Sequence, residues 1–181
     1  TTKDGYNFYG WKQENYSIDS KSHYAKVLLK AQYNVITYQI KYTLDGGTCE
    51  EELPKIYNTE QEIVLPNLTK TGYNFLGWST FKDVEPKKDY VIKKGTIGNI
   101  SIVANWVANK YNVTIDTDGG KISQNKYIFT YDSNYYISDP TKEGYTFSKF
   151  IYDDNLECSS SGVWKIDKDF TLKAIYTANT N

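Results

Sequence analysis

The chain has 181 residues, a formal net charge of −1 and no arginine among its 21 basic residues. Charge this balanced does not suit a nucleic-acid surface, and without guanidinium forks neither guanine edges nor phosphates can be gripped bidentately. An aromatic content of 16%, with 18 Tyr, argues against disorder, and no apolar run reaches the roughly 18 residues of a membrane span.

In chain order, Thr1 to Gly5 reads like an internal stretch, so we expect an excerpt of a longer protein. Gly5-Tyr6-Asn7-Phe8-Tyr9-Gly10-Trp11 predicts a turn and a short strand with Phe8 and Trp11 inward. Val27, Leu29, Ala31 and Tyr33 alternate as a second strand. Tyr38, Ile40, Tyr42 and Leu44 then lie on one face and Gln39, Lys41 and Thr43 on the other, the period of a half-buried strand. Asp45-Gly46-Gly47 tolerates positive φ and should end that strand in a turn. Residues 50–62 carry a weak pattern that fits a short helix or an extended segment. Pro66 stops it, and Gly72-Tyr73-Asn74-Phe75-Leu76-Gly77-Trp78 follows as a second turn and strand. Ile100, Ile102, Ala104 and Trp106 alternate next. Tyr111, Val113 and Ile115 lead into Asp118-Gly119-Gly120, and residues 123–134 are again ambiguous between helix and extended chain. After Pro140 come Gly144-Tyr145-Thr146-Phe147-Ser148-Lys149-Phe150 and the strand frame Phe170, Leu172, Ala174 and Tyr176.

Three blocks therefore recur in a fixed order: the strand ending Asp-Gly-Gly, the Gly-Tyr-x-Phe block and the Ala-x-aromatic block. Residues 38–106 and 111–176 are read as complete repeats, and residues 1–33 as the C-terminal half of another. The linkers Asn34–Thr37 and Val107–Lys110 are not rich in Gly, Ser or Pro and do not read as floppy tethers. A module of about 70 residues buries only about 60% of the surface its unfolded chain exposes. With two distant cysteines and no metal motif, the aromatics must build the core. The small Ala at one fixed place implies a large neighbour, an aromatic of the Gly-Tyr-x-Phe strand.

These ordered blocks resemble the Listeria–Bacteroides repeat family, also called the internalin B-repeat. The likeness covers nearly the whole chain as two and a half copies. Its signature falls on Gly5, Phe8, Trp11, Gly46, Gly47, Gly72, Phe75, Trp78, Ala104, Trp106, Gly119, Gly120, Gly144, Phe147 and Ala174. The third copy departs from it: Ser148-Lys149-Phe150 stands where Gly-Trp is expected, and Tyr176 replaces the closing Trp. The resemblance implies an α+β, mostly β fold: tandem small β-grasp-like (ubiquitin-like) modules in an elongated array. It also implies a secreted or wall-attached bacterial protein, extracellular or at the cell surface, with no catalytic residue and no cofactor to carry over.

The chemical candidates are thin. His23 is the sole histidine and sits in the polar stretch Ser20-Lys21-Ser22. Cys49 adjoins Glu50, Glu51 and Glu52, the wrong charge to activate a nucleophile. Asp116-Thr117-Asp118-Gly119 begins like a calcium loop but lacks the later oxygen ligands. None of these recurs between copies, whereas glycines and aromatics do. The expectation is a non-enzymatic stalk or spacer that presents a distal domain. The rival reading is adhesion to a host protein or glycan through Tyr9, Tyr16, Tyr24, Tyr135, Tyr136 and Tyr152, which fall outside the alternating core frames. Residues 1–33 are expected to pack on the 38–106 repeat or to pair a sheet edge with another copy.

Overall fold

The computed structural model describes residues 1–21, 24–82, 84–153 and 155–180. Two compact units divide the chain: Thr1–Leu68 with Leu76–Asn105, and Thr69–Phe75 with Trp106–Asn181. Every regular element among the described residues is a β-strand, so the expected α+β class is corrected to all-β, and the helix-bearing β-grasp reading falls with it. The two ambiguous stretches explain the error. Pro54 interrupts the first, which forms only the short strand Ile56–Asn58. The second holds the run Tyr127-Ile128-Phe129-Thr130-Tyr131, whose aromatic and β-branched side chains favour a pleated surface over a helix.

In the first unit, β1 (Tyr6–Asp19) and β2 (Tyr24–Val35) form a two-stranded antiparallel sheet. β3 (Thr37–Thr43), β4 (Ile56–Asn58), β6 (Tyr73–Thr80) and β8 (Ile100–Ala108) build a sheet in the order β4-β3-β8-β6, of which Tyr73–Phe75 and Trp106–Ala108 count with the second unit. β5 (Ile63–Val64) pairs with β7 (Val91–Ile92) beside it. β3 and β8 run parallel, with Ile40 against Ile100 and Tyr42 against Ile102. The second unit repeats this plan. β9 (Lys110–Asp116), β10 (Lys126–Thr130), β12 (Tyr145–Tyr152), β13 (Leu156–Cys158) and β15 (Phe170–Ala178) form a sheet in the order β10-β9-β15-β12-β13, in which β9 and β15 are parallel. β11 (Asn134–Tyr136) pairs with β14 (Ser161–Val163).

The alternating frames land as the sequence predicts. Ile40, Ile102, Ala104, Val113, Ile115, Leu172 and Ala174 are buried, while Lys41, Ser101, Val103, Asn112 and Lys173 between them are exposed. Full burial of Ile102 or Leu172 contributes about 1.5–3 kcal/mol each. The small alanine does face an aromatic: Ala174 lies opposite Phe150, and Ala31 opposite Trp11. Asp45 and Gly46, like Asp118 and Gly119, all have positive φ, with Gly47 and Gly120 donating back to the carbonyls of Leu44 and Thr117 at 3.0 and 2.9 Å. Two consecutive residues at positive φ make these type I′ turns. The second core gathers Val113, Ile115, Phe129, Ile137, Phe150, Cys158, Trp164, Leu172 and Ala174.

The β1–β2 hairpin differs. Among the described residues no strand flanks β2 as β3 flanks β8. Phe8, Trp11 and Leu29 are 40%, 54% and 51% exposed, although their counterparts Phe75, Trp78 and Ile102 are buried. The hairpin meets the rest of its unit at its root, where Gly5 packs against Thr59.

Candidate functional site

Two surface features merit weighing: a turn that occurs three times and the exposed aromatics. The turns are Lys3–Tyr6, Lys70–Tyr73 and Lys142–Tyr145. In each, the Tyr N–H donates to the Lys carbonyl at 3.1 Å. The Gly at the third position has φ of 79°, 76° and 75°, the conformation a type II turn requires there. The Lys ammonium folds over the Tyr ring, 3.6, 4.2 and 5.0 Å from its centroid.

The first two of these tyrosines reach acids far away in sequence. Tyr6 Oη donates to Glu60 Oε1 at 2.6 Å within the first unit, and Tyr73 Oη to Asp132 Oδ2 at 2.6 Å within the second. The hydrogen bond to Glu60 raises the Tyr6 phenol above its ordinary value. Asp132 is held below the usual carboxylate range, first by the Lys165 ammonium and then by Tyr73.

The six nominated tyrosines do not form one patch. Tyr9, Tyr16 and Tyr136 are exposed, at 60%, 56% and 69%. Tyr9 and Tyr16 share the hairpin strand β1, and Tyr136 lies on β11 of the other unit. The side chain of Tyr24 and the whole of His23 lie outside the described residues. Tyr135 is half-buried: its ring packs on Phe129 and Trp164 at 5.1 and 5.2 Å, and its hydroxyl donates to the Ser159 carbonyl at 2.8 Å. Burial is the main cause that lifts its pKa. Tyr152 stacks edge-on with Phe170 at 5.0 Å. Tyr135→Ala is therefore expected to lower the unfolding free energy by about 1–3 kcal/mol for a half-buried aromatic, while Tyr136→Ala leaves it within about 0.5 kcal/mol. Urea titrations of both variants check this.

The sequence did not nominate Phe81. It is 98% exposed and stands beside an open groove of about 420 Å³, with Tyr90 and Ile97 among the lining residues. Nothing in its local pattern marks it, because it follows the last inward position of β6 in an irregular loop.

The remaining chemical candidates are engaged elsewhere or isolated. The Asp118 carboxylate faces Lys142 at 3.4 Å and Lys173 at 3.6 Å, and these lysines lower its pKa, Lys142 most. Both cysteines are free thiols; Cys158 is buried, and burial raises its pKa. Cys49 Sγ donates to the Glu51 carbonyl at 2.9 Å.

The lowered acids make a prediction about pH. Asp118, Asp132 and Asp169 all release their protons more readily when folded, Asp169 because the Asn112 side-chain and backbone N–H groups donate to it. Their folded pKa values lie below the unfolded ones, so the unfolded state binds more protons through the carboxylate range. The stability they add is complete above about pH 5 and is lost as pH falls through the depressed folded values. Denaturant midpoints of the second unit should fall between about pH 5 and pH 2, and Asp132→Asn should flatten that fall.

This geometry, with turn glycines and buried aromatics repeated in two sheets of one plan, defines a tandem all-β repeat protein. The chain belongs to the Listeria-Bacteroides repeat domain family, whose family model matches residues 38–105 and 111–175. It is similar to a protein of Evansella cellulosilytica described as a Gly-rich membrane protein, 27% identical over 94% of this chain and 20% of that one. It is also similar to internalin H of Listeria monocytogenes, 30% identical over 60% of this chain and 20% of that protein. The chain thus spans about a fifth of the length of these relatives. No solved structure matches it significantly. No helix among the described residues is long and apolar enough to cross a membrane.

Proposed function

We propose that this chain is a non-enzymatic stalk or spacer segment of a bacterial cell-surface or secreted protein, carrying a functional domain away from the wall. One observation supports this above others. What recurs between 38–105 and 111–175 makes turns and cores, while His23, Cys49, Cys158 and the acidic runs do not recur. The likeness to internalin H and to a membrane protein supports an extracellular or wall-associated location.

The adhesive reading keeps one observation in its favour: Tyr9, Tyr16, Tyr136 and Phe81 stand exposed. Incubating the purified chain with a glycan array and with immobilised host-surface proteins separates the two. A spacer is retained by none of them. Retention that disappears in Tyr9→Ala, Tyr16→Ala or Tyr136→Ala would replace the spacer reading with adhesion.

A further inference from the structure

We propose that the Lys142–Tyr145 turn is a docking site for the acidic turn of a further repeat of this family. The two matching turns show what such an occupant looks like. Gly5 lies so close to Thr59 that an added Cβ would fall 2.7 Å from Thr59 Cγ2, and one on Gly72 would fall 2.3 Å from the Tyr131 ring. The residues that follow are the acids already described: Thr59-Glu60 takes Tyr6, and Tyr131-Asp132 takes Tyr73. Both receiving pairs stand directly after a short strand that borders the parallel pair, Ile56–Asn58 in one case and Lys126–Thr130 in the other. The chain then passes each turn in the same way: the carbonyls of Gly5 and Gly72 accept the N–H of Ile36 and Asn109 at 2.8 and 2.9 Å.

The third turn is built for the same purpose and unfilled among the described residues. The Gly144 carbonyl accepts the N–H of Asn179 at 3.0 Å, so the passing chain is already in place. Yet a Cβ on Gly144 would meet nothing within 4 Å, and Tyr145 is 44% exposed. No described residue accepts from its hydroxyl. Lys142, folded over the ring, also donates to the Asp118 carbonyl at 2.7 Å and faces its carboxylate at 3.4 Å, so its ammonium is partly engaged but stays beside the phenol. The recognition chemistry is thus a side chain that covers the glycine, followed by a carboxylate that accepts from the phenol and lies near the ammonium. This inference concerns how repeats join and stands independently of what the array presents.

The test extends the full chain with a second copy of residues 110–179 placed directly after Asn179, which reproduces the Asn109–Lys110 connection. Tetranitromethane nitration, resolved by peptide mass spectrometry with the appended copy segmentally labelled with 15N so that its peptides differ in mass, reads each tyrosine of each copy. In the unextended chain Tyr145 should nitrate several-fold faster than Tyr73. In the extended chain Tyr145 should slow to the Tyr73 rate while Tyr136 of the original copy does not change. Asp132→Asn in the appended copy should restore much of the Tyr145 rate. An unchanged Tyr145 rate in an extended chain whose appended Tyr135 is protected, and so folded, would overturn the proposal. Should the appended copy not fold, equal rates for Tyr73 and Tyr145 in the unextended chain would overturn it as well.

Discussion

Replacing Trp78 with alanine is expected to cost about 3–5 kcal/mol, a large share of the roughly 5–15 kcal/mol that holds a typical domain folded. Trp78 is fully buried on β6, with its ring 5.7 Å from that of Tyr42. Its indole Nε1 donates to the Pro66 carbonyl at 2.8 Å, and its backbone exchanges two 2.9 Å hydrogen bonds with Lys87. The side chain therefore fastens the loop before β6 and fills the centre of the first unit at once. Trp78→Phe separates these effects, since it keeps most of the apolar bulk but strands the Pro66 carbonyl. Trp164 makes the useful contrast. It is as deeply buried, against Phe129 and Tyr135, but its Nε1 finds no acceptor among the described residues. Trp164→Phe removes an unsatisfied donor along with some bulk, so it should cost less than Trp78→Phe. Urea unfolding followed by circular dichroism gives both values, and the reverse order would contradict the hydrogen-bond account.

Gly77→Ala is expected to cost about 3 kcal/mol or more, from strain and overpacking together. Gly77 has a φ of +128°, and an added Cβ would stand 2.3 Å from the Lys87 carbonyl carbon and 2.6 Å from its nitrogen. Both are backbone atoms that the Trp78–Lys87 hydrogen bonds hold in place, so neither can yield cheaply. The third block carries Lys149 at the matching place, and Lys149 is not at positive φ. Its ammonium pairs instead with Glu157 across the sheet. The departure of Ser148-Lys149-Phe150 from the family pattern is thus a different local backbone with the same buried aromatic, Phe150. Gly77→Lys, which copies the third block into the second, should fail to fold the first unit at ambient temperature, whereas Lys149→Gly should lose only a modest amount.

Much of this was legible from residues alone. Period-two alternation placed β3, β8, β9 and β15 and the faces they bury, because a pleated strand with one buried side writes that period directly. The Asp-Gly-Gly turns were legible through their tolerance of positive φ, and the fixed Ala through the aromatic set opposite it. Residues 50–62 and 123–134 stayed ambiguous between helix and extended chain because the strands Ile56–Asn58 and Lys126–Thr130 bury one side chain each, Tyr57 and Phe129, and are too short to show a period. Phe8 and Trp11 carry the signature but not its burial, since the partner strand that covers their counterparts is not beside them. Tyr135 read as a surface residue because its neighbours Phe129 and Trp164 lie outside the repeated blocks. The pairing of Tyr6 with Glu60 and Tyr73 with Asp132 was invisible for another reason: each joins residues more than fifty positions apart whose types, Tyr and an acid, are common everywhere.

The spacer role is tested most directly by fixing one reporter domain to a bacterial wall through a common wall anchor, either with this full chain inserted between them or without it, and labelling it with a bulky antibody. The account predicts that the chain raises labelling at equal reporter expression, and that Trp78→Ala, which destabilises the first unit, lowers that gain while leaving expression comparable. Equal labelling with and without the chain would contradict it.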